Sequence, residues 1–243
     1  MAEKGLALVT GAAGGMGSAT VERLARDGFR IAAVDVNEAA LESLVRDVAG
    51  EVRPHAVDLT DESAARAVVR RVESEMGPID ALVNLIGWTE TRRFEGEDSA
   101  YWDKVIAINF KSVLYVTHAA LPGMIARKRG KIVNVTSDAG RVGQSAEAVY
   151  AGMKGALIAW SKSLARELAR HGINVNCTAP GPTDTPLERA QDPEVIQRII
   201  RWIPFRRWAR PEEQAAAIAF LVSRDSDYIT GQTLSVSGGL TMV

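Results

Sequence analysis

The sequence predicts an α/β fold: a doubly wound, mainly parallel seven-stranded sheet with helices on both faces, forming a single domain over residues 1–243. Three observations predict it. Short β-branched or aliphatic runs alternate along the chain with amphipathic stretches of helical period. Consecutive parallel strands need a helix-sized return path, and the alternation supplies one at each step. No repeat period, low-complexity tract or Pro/Ser-rich linker marks a boundary within the 243 residues.

The elements follow in order. GLALVT is the first strand and leads into a helix from about Gly15 to Asp27; RIAAVDV is followed by a helix from about Glu38 to Val48. EVRPHAVDL precedes a helix from Asp61 to Met76, and DALVNLIG precedes a long one from Ser99 to Arg127. KIVNVTS precedes the helix VYAGMKGALIAWSKSLARELARHG, and INVNCTAPG and TLSVSGG supply the last two strands. Residues 182–210 form an irregular insertion at the carboxyl edge of the sheet, where a substrate lid is expected.

Composition narrows the function. With 47% hydrophobic and 24% charged residues and a formal net charge of -1, no overall field favours nucleic acid or an anionic membrane. Cys177 is the only cysteine, which excludes an internal disulfide framework and fits a reducing compartment. His55, His118 and His171 are scattered and lack partners at ligand spacing, so no metal is expected. No signal-peptide pattern opens the chain and no apolar run approaches the ~20 residues of a membrane span, so a cytoplasmic protein is expected.

The first strand runs into TGAAGGMG, Thr10 to Gly17, and then into a helix. Gly11, Gly15 and Gly17, with Met16 among them, allow a tight turn and bring a pyrophosphate close to N–H groups at a helix N-terminus. In this strand–turn–helix setting the turn is a dinucleotide site of Rossmann type. Asp35 ends the second strand about 20 residues further on, where a carboxylate accepts from a ribose and repels a 2′-phosphate. That favours NAD over NADP; capping the next helix is an alternative role for Asp35, and both can hold.

Tyr150 and Lys154 stand four apart on a helix, so they share a face. A free phenol has a pKa near 10 and needs a neighbouring cation to serve as a proton-transferring group at neutral pH. TGAAGGMG, the NLIG after the fourth strand, Asn109, Ser137 and Tyr150-x-x-x-Lys154 together resemble the short-chain dehydrogenase/reductase family, in the family order and over nearly the whole chain. The resemblance implies hydride transfer between nicotinamide C4 and a carbinol or carbonyl carbon, with Tyr150 transferring the proton. It assigns Ser137 to the substrate oxygen, Lys154 to the nicotinamide ribose as well, and the Asn109 carbonyl to a water-borne proton relay. It also puts Asp58 near the adenine, Asn84 and Gly87 beside the adenosine, and Pro180, Gly181 and Thr183 at the nicotinamide carboxamide. Leu85 and Ile86 depart from the family pattern, which usually has Asn and Ala there, removing an amide and adding bulk. The family is mostly tetrameric, so a homotetramer is expected through the apolar faces of Ser99 to Arg127 and Val149 to Arg170.

SDAGRVGQSAEAVYAGMKG, PGPTDTPL, Trp88 and the ending SGGLTM resemble the NAD-linked family members that act on 2-hydroxycyclohexanecarboxyl-CoA. The 3-oxoacyl-carrier-protein reductases share much of the frame but usually use NADPH, against which Asp35 argues. Trp88, Asp138, Arg141 and Gln144 are the candidate substrate residues. Arg198, Arg201, Arg206, Arg207 and Arg210 either hold CoA phosphates or solvate a face and pair with Glu212 and Glu213. Trp88, Trp102, Trp202 and Trp208 either line a ring-accepting pocket or pack. The expected function is NAD-dependent interconversion of a secondary alcohol and a ketone on a small molecule, a cyclic or acyl-CoA thioester substrate. A 3-oxoacyl-carrier-protein or ketone reductase using NAD(P)H is the alternative. A dinucleotide-binding partner subunit without catalysis, suggested by Leu85 and Ile86, is the reading from another class, and the intact Ser137, Tyr150 and Lys154 weigh against it.

Overall fold

A computed structural model describes residues 5–185, 189 and 193–243. Its strands are β1 (Leu6–Thr10), β2 (Arg30–Asp35), β3 (Val52–Ala56), β4 (Ile79–Asn84), β5 (Gly130–Val135), β6 (Ile173–Pro180) and β7 (Thr233–Val236). The helices are α1 (Gly15–Arg26), α2 (Glu38–Asp47), α3 (Glu62–Met76), α4 (Ser99–Ile106), α5 (Ser112–Arg127), α6 (Ala139–Val142) and α7 (Ala148–Leu168), followed by α8 (Pro193–Trp202) and α9 (Pro211–Val222).

The seven strands form one sheet in the order β3-β2-β1-β4-β5-β6-β7, and every neighbouring pair is parallel. The order follows from the crossovers. The chain steps outward from β1 to β3, returns past β1 to β4, and then steps outward the other way, which opens a crevice beyond the carboxyl ends of β1 and β4. Two apolar layers sandwich the sheet. On one face Val68, Val69 and Val72 of α3, Val116 and Met124 of α5 and Leu164 of α7 pack against Leu8, Leu82 and Ile132. On the other, Val21 and Leu24 of α1, Leu41 of α2 and Ile218 and Val222 of α9 pack against Val9, Ala33 and Val83. The strands are apolar on both sides because both sides are covered; all five residues of β1 are buried.

Two departures from the sequence reading bear on the site. The long helix expected from Ser99 to Arg127 is continuous, but α4 passes into α5 through a wider π turn at Ala107–Lys111 that includes Asn109. By length and composition these 29 residues are apolar enough to cross a membrane, contrary to the expectation that no segment would be. Their apolar side chains Val105, Val113, Val116, Ala120 and Met124 are buried in the protein itself. The insertion read as irregular contains α8, whose Pro193 start and Ile196, Ile199 and Ile200 spacing carry a short helical period. Residues 186–188 and 190–192 of that insertion lie outside the described residues.

Candidate functional site

The glycine-rich turn is shaped by what it must pass. Gly11 adopts φ +65, and a side chain there would stand 3.0 Å from the Ile86 backbone; one at Gly17 would stand 2.0 Å from the Gly11 carbonyl oxygen. The turn therefore lies directly against the segment after β4. Leu85 and Ile86 fit because the Thr10 hydroxyl accepts from both of their N–H groups, at 3.1 and 3.4 Å. Helices α2 and α3 are capped by Asn37 and Asp61, whereas α1 follows Gly14 with neither a capping side chain nor an acidic residue in its first turn. An open, uncapped helix N-terminus is the donor set a pyrophosphate needs, so these residues fit a dinucleotide.

Asp35 sits beside this turn. Its carboxylate accepts from Ala13 N–H at 3.0 Å and from Asn37 N–H at 3.0 Å, so it braces the turn and the approach to α2, while Asn37 is the cap itself. Val57 N–H bonds the Asp35 carbonyl, which puts Asp58 on the same rim; the exposed Asp58 carboxylate accepts from Thr60 N–H and Oγ1. Met16 faces the core layer beneath α1.

At the other end of the crevice α6 packs on α7, and two glycines allow it. A side chain at Gly140 would stand 2.6 Å from the Lys154 carbonyl carbon, and one at Gly155 would stand 3.0 Å from the Gly140 oxygen. This contact carries Ser137, at the start of α6, to the turn of α7 that holds Tyr150 and Lys154. The Ser137 Oγ accepts from Ala139 N–H at 3.1 Å, and its own O–H donates to nothing among the described residues. Lys154 is buried, donates from Nζ to the Val135 carbonyl at 3.1 Å, and holds Nζ 5.7 Å from the centre of the Tyr150 ring. Burial pushes the Lys154 pKa down to about 8, against a small opposing pull from Cys177.

Asn109 completes the cluster through its side chain. Its Oδ1 accepts from Trp88 N–H at 3.2 Å, and its Nδ2 donates to the Trp88 carbonyl at 2.7 Å and to Val105 at 3.0 Å. The amide thereby clamps the segment after β4 over the amine: a side chain at Gly87 would lie 3.1 Å from Lys154 Nζ and 3.3 Å from Asn109 Oδ1. Trp88 carries the Lys104 ammonium 3.6 Å above its ring and leans on Tyr101 at 5.7 Å.

The structure thus brings together Asn109, Ser137, Tyr150 and Lys154, with Gly87 and Trp88 alongside. Gly87 belongs to this amine end, not the adenosine end. Asn84 is buried and donates to Thr117 and Asn134, tying β4 to α5 and β5, so its side chain is turned inward and not toward a ligand. Thr183 is buried as well: its hydroxyl donates to the Gly181 carbonyl and accepts from Gln214, which pins the loop after β6. Gly181 passes against Ser237, and Pro180 accepts from Asp138 N–H. Asp138 is buried with its carboxylate on Ser235 and Arg141 at its side, so it joins β5 to β7 instead of facing substrate. Gln144 is exposed on a loop whose Ala146 carbonyl is held by Arg92 N–H.

The arginines divide. Arg207 forks onto Glu213 at 2.7 Å through both nitrogens, and this bond, with Arg210 N–H, pulls the Glu213 pKa down to about 2. Arg206 donates to the Arg201 carbonyl, and Arg198 and Arg201 are exposed. Trp102 stacks on Phe94 and donates to Glu97, Trp202 is exposed, and Trp208 is buried. Sequence reasoning missed Thr10 and the Gly140–Gly155 contact; the glycines were visible in the sequence, but their pairing was not.

A parallel sheet with an uncapped phosphate-binding turn and an acid–base cluster at its carboxyl edge defines a dinucleotide-dependent oxidoreductase. The comparisons specify the family. A family model described as enoyl-(acyl carrier protein) reductase matches residues 11–241. The 3-oxoacyl-[acyl-carrier-protein] reductase of Thermotoga maritima is 38% identical over 241 residues, covering 97% of each chain. The acetoacetyl-CoA reductase of Allochromatium vinosum is 39% identical over 242 residues, 98% of each. The human (3R)-3-hydroxyacyl-CoA dehydrogenase is 38% identical over 249 residues, 98% of this chain and 95% of that one. The chain belongs to the short-chain dehydrogenase/reductase family.

Proposed function

We propose that the protein is an NAD-dependent oxidoreductase that interconverts the secondary alcohol and the ketone of a hydroxyacyl-CoA thioester, with a cyclic acyl group such as 2-hydroxycyclohexanecarboxyl as the favoured substrate. The observation that carries this reading is Lys154: a buried ammonium, fixed by the Val135 carbonyl, one helical turn beyond Tyr150. A cation there lowers the phenol's proton affinity, so Tyr150 takes the proton of an alcohol at its phenolic oxygen and returns it to a ketone in the reverse direction. The Ser137 O–H, which donates to nothing among the described residues, is available to donate to the substrate oxygen. The π turn at Asn109 loosens the local backbone bonding, which suits its carbonyl to proton relay toward solvent. The dinucleotide, held by the glycine turn, Asp35, Asp58 and Lys154, supplies the hydride chemistry when bound.

Asp35 supports NAD, because a carboxylate on that rim repels a 2′-phosphate. The names of two relatives, acetoacetyl-CoA reductase and (3R)-3-hydroxyacyl-CoA dehydrogenase, support a CoA thioester. The Thermotoga relative's name favours a second reading, reduction of a 3-oxoacyl group on a carrier protein. Half-buried Phe110, Tyr115 and Trp160 on the outer helices support a homotetramer.

Initial rates with NAD+ and NADP+ over hydroxyacyl-CoA esters, free hydroxy acids and cyclic alcohols test the reading. Turnover should favour NAD+ and the thioesters; preference for NADP+ defeats the Asp35 argument. Tyr150→Phe should lower turnover at least about 10²-fold while leaving the NADH dissociation constant within about twofold. Undiminished turnover in that variant removes Tyr150 from the mechanism.

A further inference from the structure

The turn after α8 borders a cleft of about 530 Å³ lined by Asp184, Ile200, Arg206, Arg207, Trp208 and Arg210. Among the described residues its charges do not cancel. Glu213 is taken by the Arg207 fork, and Asp184 is paired with Arg189 at 2.5 and 2.9 Å. Arg210 reaches Glu213 only at 3.7 Å and Arg206 has no carboxylate partner, so among the described residues these two guanidinium groups are in excess. Trp208 is 9% exposed, and its Nε1–H is buried with no acceptor among the described residues. A buried donor without a partner is uncommon in proteins and marks a place where an acceptor belongs. Arg206 also has φ 57, a left-handed backbone conformation that residues with side chains seldom adopt, so the chain turns sharply at the cleft.

Two guanidinium groups with no close carboxylate among the described residues, the buried unpartnered indole N–H of Trp208 beside them, and an Ile200 wall suit an acceptor with several anionic oxygens and an organic remainder. We infer that this cleft binds the diphosphate of a nucleotide-bearing ligand, and that its source is the CoA portion of the substrate; the second clause rests on the thioester reading above. The cleft is within reach of the reacting end. Asp184 lies four residues from Pro180, at most about 14 Å of extended chain, and the Pro180 carbonyl accepts from Asp138 N–H, next to Ser137. A pantetheine arm is as long as about five extended residues, roughly 17 Å, and spans that interval.

The test is calorimetric titration of coenzyme A into protein saturated with NAD+, so that the glycine-turn site is already filled. Coenzyme A should bind, pantetheine without phosphate should not, and affinity should fall with ionic strength. Arg206→Gln with Arg210→Gln, both at exposed positions that leave the Arg207–Glu213 fork intact, should weaken binding at least tenfold; Trp208→Phe, which removes the indole donor, should also weaken it. Equal binding of pantetheine, no binding of coenzyme A, or indifference to the double variant overturns the site. Kinetics then separate the sources. A higher KM for CoA thioesters, with pantetheine thioesters unaffected, identifies the substrate's own handle. Unchanged thioester kinetics despite weakened coenzyme A binding, or a matching KM rise confined to carrier-protein thioesters, overturns the CoA-substrate assignment. Coenzyme A binding without turnover of any thioester defeats the proposed function and leaves the diphosphate site standing.

Discussion

Thr10 is an unremarked letter in the first strand, yet its single hydroxyl accepts from two backbone N–H groups, those of Leu85 and Ile86, in a fully buried position. That is how the chain tolerates aliphatic residues where its family pattern has an amide: the backbone of the crossing segment is held from below. Thr10→Val keeps the shape and removes the acceptor, leaving the buried Leu85 N–H and the half-buried Ile86 N–H without it, so it should destabilise the fold by about 1–3 kcal/mol. Because Gly11 lies against the same segment, NAD affinity should fall too, while Thr10→Ser should preserve both. Urea unfolding with and without NAD+ measures the two effects; wild-type values for Thr10→Val mean that the hydroxyl does not hold the segment. The sequence marked Thr10 as the start of the turn, but its partners lie about 75 residues away, a separation that no local pattern encodes.

Legibility changes at the scale of elements. Strands, crossover helices and the Tyr150–Lys154 pairing were readable because each depends on a period or spacing within one segment. The π turn at Asn109 was not, because it arises from where the side-chain amide must reach, the backbone of Trp88 on another segment. Nor was the inward turn of Asn84, Asp138 and Thr183, since their partners Asn134, Ser235 and Gln214 come from other elements. The contact of α6 with α7 is the element-level feature on which Ser137 depends. Gly140→Ala places a carbon 2.6 Å from the α7 backbone, where neither side is a flexible chain end. The helices must part, at about 1–3 kcal/mol by analogy with overpacked cores. Thermal unfolding should report that loss, and turnover should fall further than the stability change explains, because Ser137 moves with α6. Stability and turnover both equal to wild type would show that the contact does not position the serine.

For the whole molecule, two buried bases, one on the edge strand β3 and one on α7 beside β5, set how stability responds to pH. His55, on the edge strand β3, has its pKa lowered chiefly by burial and secondarily by Arg71. As pH falls below 6.5 the unfolded chain takes up a proton that the folded one resists, so stability declines. The lowered carboxyl groups of Asp61, Glu75, Asp184 and Glu213 add losses at still more acid pH. Lys154 works the same way higher up. Its folded pKa of about 8 lies below the ordinary 10.5, so between those values the unfolded chain holds more protons and stability rises with pH. At neutral pH the buried ammonium is therefore a cost to the fold. A residue that weakens the structure is not there for structure, which is the whole-molecule argument for its chemical role. Lys154→Met should raise the urea midpoint at pH 7, abolish the gain between pH 8 and pH 10 seen in the wild type at the same protein concentration, and reduce turnover by at least about 10²-fold. An unchanged alkaline gain in the variant would mean that Lys154 is not the group titrating, and undiminished turnover would detach it from Tyr150.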